Sequence, residues 1–478
     1  MTVEEALEIA QRVLEQGSLS KVQNIVFRQS WEGHSYLKIA RNSGYEVGYI
    51  RDVGFKLWQS LSKAFGKKIT KNNFHQVLKQ QYVATHATQR SISGFTQEWQ
   101  QPQGSFPNVL TVQGVTASKR IDWGEAVDVS VFSGRAAELA TLEQWMVQDR
   151  CRLVALLGMG GIGKTALAVR IAEQVKDEFE YLIWRSLRNA PPVKEFLTEL
   201  ILFLSLQQKV DLPETVDSLI SRLMEYLRQR RCLLVLDNGE SILRSGERAG
   251  RYRFGYEGYG QLLRRVADER HQSCLLLTSR EQLIGLTTKE GAALPVRSLQ
   301  LTGLQPAAAQ EILKAKGLVL KEDESRKLFS HYSGNPLAMK AAAATIKSLF
   351  DGDVSRFLEQ GTVIFGDIWD LLDQQFERLS ALEKQVMYSI ALNRHWVTLA
   401  QLREELVPPA SHRELLEALE SLQGRSLIEQ QLASFTQQPL VMEYITERFI
   451  ENSNQGLGIL GSYKPDPGQE IAVGRRLR

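Results

Sequence analysis

The 478-residue sequence predicts a multidomain protein in which an α/β parallel-sheet domain is flanked by all-α domains. Three observations carry that expectation. An apolar run, Leu153 to Leu157, leads into the glycine-rich stretch GMGGIGKT, Gly158 to Thr165, and a helical pattern follows at once. Apolar runs and helical patterns then alternate as far as Leu301, which predicts parallel strands covered by helices. Before residue 84 and after residue 304 the apolar spacing is mainly helical.

The chain is 43% hydrophobic and 24% charged, ordinary for a folded globular protein. Its apolar runs fall far short of the roughly 20 residues that span a bilayer. The opening MTVEEALEIA is acidic, unlike the basic start of a secretory leader, so a cytoplasmic protein is expected. Cys151, Cys232 and Cys274 form an odd set without paired spacing and read as reduced, buried thiols. The seven His show no metal-ligand spacing, which argues against a structural zinc. Net charge is +3, unevenly spread: residues 1–90 hold 13 Lys+Arg against 7 Asp+Glu.

Residues 1–83 read as a helix-turn-helix-like domain. Helical patterns cover 2–16 and Lys21 to Trp31, a short helix with Leu37, Ile39 and Ala40 runs into Gly44, and a second starts near Glu46. Its outward residues Glu46, Tyr49, Arg51, Asp52 and Lys56, with Lys63, Lys67, Lys68 and Lys71 nearby, are the candidate readers of DNA. Two acids among the first five make a weak electrostatic footprint, so a protein partner is the favoured reading and DNA the alternative. Residues 84–127, rich in Gln, Ser, Thr, Gly and Pro, read as a flexible linker.

Residues 128–304 carry the sheet. Phe132-Ser133-Gly134-Arg135 precede a helix starting near Ala136, and strands are expected at Tyr181 to Ser186, Cys232 to Asp237, Ser273 to Ser279 and Val296 to Leu301. The Arg/Tyr/Gly-rich segment Arg244 to Gly260 reads as a surface loop with packed tyrosines. GMGGIGKT matches the phosphate-loop pattern at every fixed position, in its strand-loop-helix context. Gly158, Gly160, Gly161 and Gly163 free the backbone so that its N–H groups can face phosphate. Lys164 brings a positive charge to the β and γ phosphates, and Thr165 offers its hydroxyl to Mg²⁺. Asp237, ending the run LLVLD, stands where an acid holds the same Mg²⁺. Arg280, ending LLLTSR at the ligand-binding edge of the sheet, can sense the γ-phosphate.

GMGGIGKT, LLVLDN, LLLTSR, SLQLTGL (Ser298 to Leu304) and SGNPLAMK (Ser333 to Lys340), in that order, resemble the NB-ARC class of STAND NTPases, signalling P-loop proteins related to apoptosome-type ATPases and plant disease-resistance proteins. The resemblance spans about residues 128–450. It implies ATP or ADP with Mg²⁺, the metal held through Thr165 and Asp237. Phosphate contacts would come from Gly158, Met159, Gly160, Gly161, Ile162, Gly163, Lys164, Thr165 and Ala166, and a sensor from Arg280. Phe132, Gly134 and Arg135 would lie on the adenine side, and Gly334, Pro336 and Leu337 would meet the nucleotide from a small helical domain, residues 305–364. A winged-helix domain, residues 365–452, and an irregular tail, residues 453–478, would follow, with self-association when ATP is bound.

Three departures from that pattern are legible. The family's phosphate-touching histidine has no counterpart in Val441-Met442-Glu443. Asn238 follows the magnesium aspartate where many relatives have a second acid, leaving Glu240 as the candidate catalytic base beside Lys164, Asp237 and Arg280. The sensor repeats common in relatives have no legible counterpart, as if the sensor were a separate protein or the chain truncated.

Overall fold

Strand-forming residues place the sheet. The runs Leu153–Leu157, Cys232–Asp237 and Cys274–Ser279 are buried along their whole length, as expected of strands covered on both faces. In the computed structural model the described residues are 119–205, 212–318, 320–361 and 364–454, together with 21–31, 36–43 and isolated positions within the first 78. The chain divides into two units, Met1–Thr111 and Val112–Arg478.

In the first unit, α1 (Lys21–Trp31) and α2 (Tyr36–Ser43) fall where the apolar spacing puts helices. Val26, Phe27, Ile39, Ile50, Leu57, Leu61, Phe74 and Leu78 form one core, with Phe27 edge-on to Phe74 at 5.4 Å between ring centres. The candidate DNA readers Glu46, Tyr49, Arg51, Asp52 and Lys56, and the lysines beyond them, lie outside the described residues.

The second unit opens with β1 (Arg120–Asp122), then α3 (Ala136–Glu143), β2 (Leu153–Leu157), α4 (Lys164–Val175), β3 (Tyr181–Ser186), α5 (Val193–Leu204) and α6 (Val216–Gln229). β4 (Cys232–Asp237), α7 (Glu257–Asp268), β5 (Cys274–Ser279) and β6 (Val296–Gln300) complete the sheet. Its order is β1-β3-β4-β5-β2-β6, and every pairing is parallel. The linker expected to reach residue 127 therefore stops short. Arg120–Asp122 pairs with Tyr181–Ile183 as an edge strand, too short to show a period of two; residues 84–118 lie outside the described part.

Separate cores cover the two sheet faces, one around Phe196, Leu223, Tyr259 and Leu277, the other around Leu156, Ile171, Trp184 and Leu276. The three thiols are free and buried, as the sequence leads one to expect. The loop expected over 244–260 ends at Tyr256, where α7 begins, and its tyrosines are packing residues: Tyr256 and, within α7, Tyr259 donate their hydroxyls to the carbonyls of Ala190 and Pro191.

Beyond the sheet come α8 (Pro306–Ala315), α9 (Glu322–Tyr332), α10 (Pro336–Leu349) and α11 (Val354–Glu359). α12 (Gly366–Phe376), α13 (Ala381–Asn393), β7 (Val397–Thr398), α14 (Leu399–Glu405), α15 (His412–Gly424), β8 (Glu429–Gln431), β9 (Ser434–Thr436) and α16 (Pro439–Asn454) follow. The three short strands make an antiparallel sheet, β7-β9-β8. Capping sets several of these helices. Ser380, Thr398 and Ser411 each accept from the third residue of the following helix, whose Glu or Gln side chain reciprocates. One continuous core runs through all these helices and takes in Met159, from the phosphate loop, and Leu304, just before the first of them. Among the described residues no helix is long and apolar enough to cross a membrane, and no group of three or more His, Cys, Asp or Glu is placed to hold a metal ion.

Candidate nucleotide site

The loop after β2 takes the backbone course its glycines permit. Gly158, Gly161 and Gly163 have φ values of 152°, 75° and 100°, where a side chain is strained. Gly163 caps α4, so the helix begins at Lys164 and turns its N-terminal N–H groups toward the loop. Lys164 is buried, and its Nζ donates to the carbonyls of Gly158 at 2.7 Å and Met159 at 3.1 Å. Burial depresses its ammonium to about 8, with Glu240 and Asp237 pulling the other way and Arg280 adding to the depression.

Thr165 and Asp237 lie side by side. The threonine hydroxyl donates to Asp237 Oδ1 at 2.9 Å, and Thr278, from the neighbouring strand, donates to the same oxygen at 2.5 Å. Burial raises the Asp237 carboxyl, while the two hydroxyls counter it. A hydroxyl and a carboxylate converging beside a phosphate loop suit a hard divalent cation completed by phosphate oxygens and water. Asn238 takes the left-handed conformation, φ 64°, that lets the chain leave β4 into a short turn, a position that tolerates Asn better than most residues.

Glu240 and Arg280 are held together. The carboxylate forms an ion pair with Arg280 Nε at 3.1 Å and accepts from the Arg280 backbone N–H at 3.1 Å. Glu240, the candidate base of the sequence reading, thus holds the strand-end arginine in place.

Other expected contacts resolve into backbone and side-chain parts. The Met159 side chain lies in the helical core and that of Ile162 in the sheet core, so each offers a nucleotide only its main chain. Ala166 and Phe132 pack against the sheet core. Gly134, φ 74°, lies so close to α8 that a Cβ there would stand 2.7 Å from Ala308 Cβ. Arg135 is turned inward: its guanidinium donates to Ile162 O and Thr302 O, at 3.1 and 2.6 Å, and pairs with Glu138. It ties the phosphate loop to the segment entering α8.

The segment Gly334-Asn335-Pro336-Leu337 lies directly on the loop. Asn335 donates from Nδ2 to Gly160 O at 3.0 Å, and Leu337 N–H points to Gly161 O at 3.3 Å. Pro336 opens α10, with its Cγ 4.0 Å from where a Gly163 Cβ would be. Gly334 works through its backbone, accepting from Leu304 N–H at 2.9 Å. Sequence reasoning missed Asn335 as a bond to the loop; its signal was its place just before Pro336, where the amide oxygen also caps α10.

A second missed group comes from α12 and the turn after it. Leu371 and Gln375 reach Gly160, and a Cβ on that glycine would lie 2.7 Å from Leu371 Cδ1 and 2.9 Å from Gln375 Nε2. Arg378 pairs with Glu281, the residue after Arg280, and donates to Glu240 O at 3.1 Å. Arg425, at the end of α15, donates to the same Glu281 oxygen at 2.8 Å. No motif marks these residues, because partners in different domains leave no local spacing.

Comparison with known proteins places the phosphate-loop segment in a family. Residues 135–240, which hold the phosphate loop and Asp237, match the NB-ARC domain. The chain contains an NB-ARC domain, of the P-loop NTPase class. Residues 1–81 of this NB-ARC protein match the N-terminal helix-turn-helix of vWA-MoxR associated proteins. Over 342 residues it is 55% identical to an uncharacterised WD repeat-containing protein of Nostoc sp. strain PCC 7120, a match covering 69% of this chain and 27% of that relative. A nucleotide-binding leucine-rich repeat (NLR)-like protein of Hyaloscypha variabilis is 25% identical over 229 residues, 45% of this chain and 22% of the relative. The chain thus spans about a quarter of the length of these relatives. Among solved structures it is similar to a STAND protein with a tetratricopeptide repeat sensor from Pyrococcus horikoshii, with a TM-score of 0.36 and 18% identity over 74% of this chain and 50% of that one.

Proposed function

We propose that the protein is an ATP/ADP-controlled signalling switch. ADP with Mg²⁺ would sit between the phosphate loop and the two helical regions, 305–364 and 365–452, the second read as a winged-helix domain. Lys164 and the loop amides would hold the phosphates, Thr165 and Asp237 the metal, and Arg280, steadied by Glu240, would read the terminal phosphate. Exchange for ATP would release the helical regions, let copies associate, and present the N-terminal helix-turn-helix domain. The supporting observation is the bond from Asn335 to Gly160 O, which ties the helical region to the loop that grips phosphate. A nucleotide can drive such a change only through different affinity for the two arrangements. Mass spectrometry of nucleotide carried through purification tests the reading: the parent chain should retain stoichiometric ADP and Lys164→Ala none, and a Lys164→Ala protein still loaded with ADP overturns it.

A protein partner for the N-terminal domain is supported by the matched description, a helix-turn-helix of vWA-MoxR associated proteins. The excess of Lys and Arg in residues 1–90 supports the second reading, operator binding gated by the same nucleotide. Gel shifts of the full chain across a salt series separate the two: specific DNA binding that weakens steeply with salt supports the second, and no shift leaves the first. A cytoplasmic location accompanies either reading.

A further inference from the structure

We infer that Gln375 is a phosphate-binding residue, through which α12 contacts the terminal phosphate of the bound nucleotide. The inference rests on the nucleotide-switch reading and adds to it a residue that no motif contains.

Gln375 is 5% exposed, and among the described residues neither its Nε2 nor its Oε1 has a hydrogen-bond partner. A buried amide left unsatisfied on both sides is costly and uncommon. Its donor end lies against the phosphate loop, 2.9 Å from the Cβ position of Gly160. The carbonyls of the phosphate loop already accept hydrogen bonds. Gly158 O and Met159 O accept from Lys164 Nζ, Gly160 O accepts from Asn335, and Gly161 O faces Leu337 N–H. The carboxylates nearest in sequence are also occupied, Asp373 by Tyr444 and Arg448, Glu377 by Lys384 and Arg448. What the amide lacks is an acceptor delivered into the loop from outside the chain, and the acceptor this loop is built to take is a phosphate oxygen. An uncharged donor suits the position, since Lys164 already supplies a buried charge. The helical region thereby gains a phosphate contact from α12, separate from the helix that carries Met442 and Glu443.

Calorimetric titration of the nucleotide-stripped full chain with ADP, and with AMP, in Mg²⁺ buffer tests this. Gln375→Leu keeps the bulk and removes the amide; it should weaken ADP binding about tenfold, the order of one hydrogen bond to a charged group, and leave AMP binding within twofold. Gln375→Glu places a carboxylate against phosphate and should lose more than Gln375→Leu. Without nucleotide, Gln375→Leu should melt at or above the parent's midpoint, because an unsatisfied amide has gone. Parent-like ADP affinity in Gln375→Leu overturns the inference, as does a lowered midpoint with an undiminished ADP-induced rise, the mark of a packing residue. Lys164→Ala separates the two levels of failure: if it too binds ADP like the parent, the nucleotide-site reading fails, whereas if it loses ADP while Gln375→Leu does not, only the role of Gln375 fails.

Discussion

The phosphate loop and the surface that covers it solve opposite problems. The loop is eight consecutive residues whose glycines and Lys164 shape a site from backbone geometry, so it needs only β2 before it and α4 after it. The cover is scattered: Asn335 lies 175 residues from Gly160, and Gln375 and Arg378 further still. The loop is thus a fixed local object, whereas the cover exists only while the helical regions are docked. Such a division would suit the switch proposed above, with a gripping part that persists and a covering part able to leave.

Breaking the cover should have the largest effect. Glu281 is buried between Arg378 and Arg425, so Glu281→Ala takes away the carboxylate that Arg378 pairs with, leaves Arg425 with Glu383 alone, and should cost about 3–5 kcal/mol. Chemical denaturation measures that loss, and proteolysis should show newly accessible sites in residues 365–452 while the loop, untouched, still binds ADP. An unchanged denaturation midpoint would mean that the cover is not held at Glu281.

Gly160→Ala attacks the seam between the two parts. Its Cβ would press on Leu371 and Gln375 at 2.7 and 2.9 Å, and overpacking of this kind costs about 1–3 kcal/mol. Because the displaced atoms are side-chain ends on α12, the expected result is loosened docking without loss of the sheet domain. A protein that stays as compact by small-angle scattering and as stable as the parent contradicts it.

The loop is probed by pH. Lys164 in the folded chain gives up its proton above about 8, against 10.5 for an ordinary lysine. Bound phosphate favours the protonated form, so binding takes up a proton in that window, and ADP affinity should fall by up to about tenfold per pH unit above 8. Without ligand the sign reverses. The unfolded chain holds more protons there, so the nucleotide-free protein gains stability as pH rises through the same range. Titrations at pH 7, 8 and 9 check the first effect and thermal melts the second.

Asn335→Ala should have the smallest effect, about 1–2 kcal/mol, the scale of a lost helix cap, with one bond to Gly160 O gone as well. Measured beside Glu281→Ala it ranks the two holds on the cover, and an equal loss would mean that Asn335 matters more than its bonds suggest.

Most of the sheet domain was legible in the sequence. Fully buried strands read as apolar runs, and alternation with amphipathic helices leaves few topologies open. The site was legible where its members share a motif or end a strand, as Lys164, Thr165, Asp237 and Arg280 do. β1 was missed because three residues cannot display a period. Met159 and Ile162 were placed in the right loop, but a motif cannot say that their side chains turn into two different cores.

The amino-acid sequence alone determined that this chain holds a phosphate loop between a strand and a helix, because the requirement is conformational and local: positive φ at glycines, then a lysine and a hydroxyl at fixed offsets. Tertiary structure alone decided what lies over that loop. Asn335, Leu371 and Gln375 meet it through the packing of separate helices, and contacts across such separations are set by which surfaces bury one another, a property of the whole fold that no run of neighbouring residues carries.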